Sequence, residues 1–71
     1  MPKFPGLSGG DLISALERLG FIQVRQSGSH VVMRRGDKGC VVPKHKELKV
    51  GTVNGVLRQA GLTADDLKSV L

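Results

Sequence analysis

The chain has 71 residues, a formal charge of +5, a sequence pI near 10.0 and a single cysteine, Cys40. These values describe one small basic domain over 1–71 with no intrachain disulfide, and they speak against a secreted, disulfide-stapled scaffold. No stretch approaches the roughly 20 apolar residues of a membrane span, and Met1-Pro2-Lys3-Phe4-Pro5-Gly6 lacks the apolar centre of a signal peptide, so a cytoplasmic protein is expected.

Residues 1–7 are expected to form a flexible N-terminus. The first helix is then signalled by Ser8 and Asp11, an S-x-x-D variant of the capping box, and by Leu12, Leu16 and Leu19 at helical spacing; Gly20 stops it. From 21 to 26 the period changes to two, which predicts a strand with Ile22 and Val24 on one face and Gln23 and Arg25 on the other. Ser27-Gly28-Ser29 supplies a turn, 30–35 a second strand, Gly36-Asp37-Lys38-Gly39 a tight connection, and 40–42 a short third strand ended by Pro43. A basic loop over 44–49 leads into a second helix carrying Val53, Val56, Leu57 and Ala60 on one side and ended by Gly61. Thr63 caps a last short helical turn. The expected fold is α+β, in the order α-β-β-β-α plus a C-terminal turn. Its three-stranded antiparallel meander has both main helices on one face and its other face open. So short a chain buries only about 60% of the surface it exposes when unfolded, and every long apolar residue is expected in the thin core.

The charge is concentrated. Between Arg25 and Lys49 stand Arg25, Arg34, Arg35, Lys38, Lys44, Lys46 and Lys49 against Asp37 and Glu47, a local +5 equal to the charge of the whole chain. Both histidines, His30 and His45, fall in the same window. Such a field suits a polyanionic partner. With only Phe4 and Phe21 as aromatics, base stacking on aromatic platforms is not supported, and binding by charge and shape remains.

Alternation in the second strand puts Val31 and Met33 on the core face and His30, Val32 and Arg34 on the open face. The sequence shows no cluster of Asp and Glu able to hold magnesium for two-metal cleavage. A nuclease here would be metal-independent and confined to RNA, whose adjacent 2′-hydroxyl can act as nucleophile. An imidazole can transfer the protons, while Lys44, Lys46 and Arg34 are candidates to neutralise the phosphorane. His45 is a candidate for the opposite proton transfer, and free amides around Gly51 and Thr52 could receive a phosphate. A zinc site of His30, Cys40 and His45 matches no ligand spacing, and Cys40 is expected to pack as a small hydrophobe. From the residues alone the plainer reading is favoured: Gly28-Ser29 as a hairpin turn, His30 as a half-exposed strand residue and the lysines as ordinary surface charge.

The ordered set Leu16-Glu17-Arg18-Leu19-Gly20-Phe21, Val24-Arg25-Gln26-Ser27-Gly28-Ser29-His30, Val42-Pro43-Lys44-His45-Lys46-Glu47-Leu48-Lys49, Gly51-Thr52-Val53 and Val56-Leu57-Arg58-Gln59-Ala60-Gly61-Leu62 resembles the HicA toxin family of toxin-antitoxin systems. The resemblance spans about residues 8–67. It implies a fold similar to double-stranded-RNA-binding domains, an mRNA interferase activity that arrests translation, no cofactor, and a HicB-type antitoxin as partner. It also implies a catalytic role for His30, which occupies the histidine of the family's G-S-H motif; the RNA-contacting candidates, Gly28, Ser29, Arg34, Lys44 and Lys46, are read from the residues and not from the resemblance. Three positions depart from the family pattern: Val31 stands where many members have a second histidine, Val50 where a proline often precedes Gly-Thr, and Asn54-Gly55 where a more helix-favouring pair is common. The alternative is a non-catalytic double-stranded-RNA-binding domain.

Overall fold

The computed structural model describes residues 6–71. Its elements are α1 (Gly9–Arg18), β1 (Ile22–Ser27), β2 (His30–Arg35), β3 (Lys38–Pro43), α2 (Val50–Ala60) and α3 (Ala64–Lys68). The strands form one antiparallel sheet in the order β1-β2-β3. Its buried residues, Val31, Met33, Cys40 and Val42, share one face, and there they join Leu12, Leu16, Phe21, Val53, Val56, Leu57 and Leu67 in a single core. The expected α+β fold and α-β-β-β-α order are thus present, and the middle strand has the expected register.

Local chemistry sets the helix ends. The Asp11 amide donates to Ser8 Oγ at 3.0 Å and the Ser8 amide to the Asp11 carboxylate at 3.1 Å, a reciprocal cap that satisfies two donors with no intrahelical partner. Thr63 and Asp66 repeat it at α3, and Thr63's backbone and hydroxyl hydrogen bonds hold the Asp66 carboxyl below its ordinary pKa. At the other end of α1 the Phe21 amide donates back to the Leu16 carbonyl at 2.9 Å, folding the chain so that Phe21 enters the core. Arg35 locks this corner: its guanidinium donates to the Leu19 carbonyl at 2.7 Å and lies 5.0 Å from the Phe21 ring centroid.

Three expectations are corrected. The apolar residues are not all interior: Ile22 is 63% exposed, Val24 48% and Val41 40%, and Leu71 also faces solvent. Strict alternation in β1 fails because the register shifts between Gln23 and Arg25, a bulge that leaves Val24 without a partner; the whole strand is an exposed edge. The third strand runs Lys38–Pro43, longer than 40–42, because its residues pair with β2 throughout. Two core residues, Leu7 and Leu48, come from segments read as flexible N-terminus and basic loop; the Leu48 amide donates to the Leu7 carbonyl at 2.8 Å. Residues 1–5 of the N-terminal segment lie outside the described residues.

Two outcomes follow from this burial. Met33→Ala, at a fully buried site, is expected to cost about 2–5 kcal/mol in urea unfolding, against about 0.5 kcal/mol or less for Ile22→Ala. Burial pushes the Cys40 thiol up to about 11 from 9.0. Its folded-state pKa lies above the unfolded one, so the associated stability is complete below about pH 9 and is lost as pH rises toward 11. Urea midpoints across that range should therefore fall less steeply for Cys40→Ala than for the wild type, and native Cys40 should resist a small thiol reagent at pH 8 until the chain is unfolded.

Candidate functional site

His30 opens β2, the central strand. Because Val31 and Met33 are fully buried, alternation sends His30, Val32 and Arg34 to the open face of the sheet, where His30 is exposed. It pairs with Ser27 of β1 on one side and Pro43 of β3 on the other, at the end of the sheet where the basic loop begins. The 18 strand residues contain no Asp or Glu, so no carboxylate on the sheet competes with a polyanion for His30 or its neighbours.

The turn before His30 needs its glycine for conformation. Gly28 has φ 59° and Ser29 is not at positive φ, the sign pattern of a two-residue type II′ hairpin turn. Among the described residues nothing lies within 4 Å of where a Cβ on Gly28 would stand, so they leave the approach over this turn open. The Gln26 side-chain amide donates to the Gly28 carbonyl at 3.0 Å and steadies the turn from β1.

The loop over 44–49 is held at three backbone points. The Lys44 amide donates to the Ser29 carbonyl at 2.6 Å, the Gly9 amide to the His45 carbonyl at 2.8 Å, and the Leu48 amide to the Leu7 carbonyl at 2.8 Å. The first bond puts the backbone of Lys44 directly against the residue preceding His30. Leu48, buried, anchors the far end, and the exposed Lys44, His45, Lys46 and Glu47 lie between. Where the loop enters α2, the N-cap is Lys49, which makes no side-chain cap bond. This contrasts with the capped starts of α1 and α3.

The structure therefore brings Gly28, Ser29, His30 and the start of the basic loop together. Arg34 stands apart. It is four residues along the strand from His30, about 13 Å at the rise of a β-strand, and its Cγ lies near Gly39 of β3. Arg25 was missed by alternation, which put it opposite Ile22. With the bulge, Ile22 pairs with Arg34 and Arg25 with Val32, so both belong to the open face. The zinc reading is excluded geometrically for this trio: Cys40 is buried in the core while His30 is exposed on the open face. Among the described residues no group of three His, Cys, Asp or Glu could hold a metal ion, and no helix is long and apolar enough to cross a membrane.

Comparison with curated proteins finds no match. A family described as the HicA toxin of bacterial toxin-antitoxin systems matches residues 9–62, from the first turn of α1 through the end of α2. That span holds the whole sheet, the His30 turn and the basic loop, and it covers 54 of the 71 residues: the chain belongs to the HicA toxin family.

Proposed function

We propose that the protein is a metal-independent endoribonuclease that cleaves mRNA and thereby arrests translation, and that a HicB-type antitoxin restrains it in the cytoplasm. The observation that carries this reading is the placement of His30: exposed, on an acid-free sheet face, beside an open turn and a tethered basic loop. In the proposed reaction the RNA 2′-hydroxyl attacks the adjacent phosphorus and gives up its proton. The bond from phosphorus to the 5′-oxygen breaks, and that oxygen takes a proton. The products are a 2′,3′-cyclic phosphate and a 5′-hydroxyl.

His30 serves as the general acid/base at one of these two transfers, a contribution typically worth about 10²- to 10⁴-fold. Lys44 and Lys46 supply positive charge next to the scissile phosphate, stabilising the phosphorane. Gly28 and Ser29 allow the RNA backbone close to the turn. Arg34, so far along the strand, serves a different phosphate of the same RNA. The order of α-β-β-β-α elements also suits a non-catalytic binder of double-stranded RNA, which would bind without cutting.

Expression of His30→Ala is expected to leave growth and full-length mRNA intact where the wild type removes both. Equal toxicity would remove His30 from the mechanism. Purified wild type should keep its rate in EDTA and leave cyclic-phosphate ends; loss of activity with chelator would refute the metal-free chemistry. Intact RNA after long incubation, with His30→Ala binding as tightly as wild type, would favour the binder.

A further inference from the structure

We propose that Gly9 is a positioning residue for RNA cleavage: the missing side chain lets the first turn of α1 sit against the backbone of Pro43, Lys44 and His45, holding the basic loop beside the His30 turn. The inference rests on the ribonuclease reading above and adds to it the element that sets the loop's place. A Cβ on Gly9 would overlap the Pro43 carbonyl oxygen and come within 2.7 Å of Lys44 Cα and 3.0 Å of the His45 nitrogen. All three are backbone atoms, so no side chain can swing aside to make room.

The contact is also bonded. Gly9 is the first residue of α1, and a first-turn amide has no partner within its own helix. Ser8 Oγ is taken by the Asp11 amide, and the Gly9 amide instead donates to the His45 carbonyl at 2.8 Å. Any outward shift of the loop breaks this bond and pulls on the 2.6 Å bond from Lys44 to the Ser29 carbonyl, one residue from His30. Gly10 provides the control. It is the next residue of the same helix turn, yet among the described residues a Cβ there meets only Ser8 Oγ, at 3.7 Å. In both substitutions the helix gains a better helix former, so on propensity alone each would stabilise.

The experiment compares full-length wild type, Gly9→Ala and Gly10→Ala. Thermal unfolding and cleavage of a messenger transcript are measured directly, and the salt dependence of binding to a single-stranded RNA oligomer is measured in a His30→Ala background. Gly10→Ala should match wild type in rate and salt slope and unfold at the same or a higher temperature. Gly9→Ala should stay folded, cleave at least about tenfold more slowly, and bind with a log-log salt slope shallower by about 0.7 for each phosphate the displaced loop no longer neutralises. A purely structural role would lower the unfolding temperature and leave that slope unchanged.

A folded Gly9→Ala with wild-type rate and slope overturns the proposal. Should Gly9→Ala not fold, amide hydrogen exchange on wild type decides: protection of the Gly9, Lys44 and Leu48 amides close to that of β2 supports a fixed loop, and fast exchange at Gly9 and Lys44 overturns it. A wild type that neither binds nor cuts RNA refutes the ribonuclease reading itself, an outcome separate from a working enzyme indifferent to Gly9.

Discussion

Burial of Val31 and Met33 in the middle strand is the constraint on which the site depends. Each is fully enclosed between the sheet and the helices, so the strand cannot slip by one residue without moving both into water and His30 into the core. Two fully buried side chains of this size are together worth several kcal/mol on transfer grounds. Because one face is so strongly determined, the other is too, and the His30 imidazole is delivered to a defined place by the backbone register.

The two layers also divide the charge. The strands hold Arg25, Arg34, Arg35 and Lys38 and no acid, whereas Asp11, Glu17, Asp65 and Asp66 are all on the helices. Not every strand cation is free to meet a ligand. Arg35 turns back to the Leu19 carbonyl and the Phe21 ring, and Lys38, its partner across the β2–β3 ladder, is exposed with its stem near Gly61 at the end of α2. What remains on the open face is Arg25 and Arg34 among Ile22, Val32 and Val41, with His30 and the basic loop at one end. The charge window read along the chain is therefore two populations, one structural and one facing outward.

Much of this was legible in the residues. Ser8 with Asp11, and Thr63 with Asp66, mark helix starts because the chemistry of capping is local, and both caps form. The alternation of His30 through Arg35 was readable because a strand buried on one face only must alternate. The motifs from Leu16 to Leu62 carried the family. In β1 the same logic failed. Its edge position buries none of its residues, so the apolar pair Ile22 and Val24 had no core to obey, and a bulge changed the face on which Arg25 stands.

The amino-acid sequence by itself determined the order of elements, the middle-strand register and the confinement of net charge to one window, since each follows from short-range pattern and composition. Only the tertiary structure decided which part of the basic window has its backbone beside the His30 turn. Lys44, 14 positions away in sequence, is tied to Ser29 by one backbone bond, while Arg34, four positions away, is carried about 13 Å off by the extended strand. It alone decided the close approach of Gly9 to the basic loop and the burial of Leu7 and Leu48 as well, because a close approach between backbones far apart in the chain leaves no periodic trace in either segment.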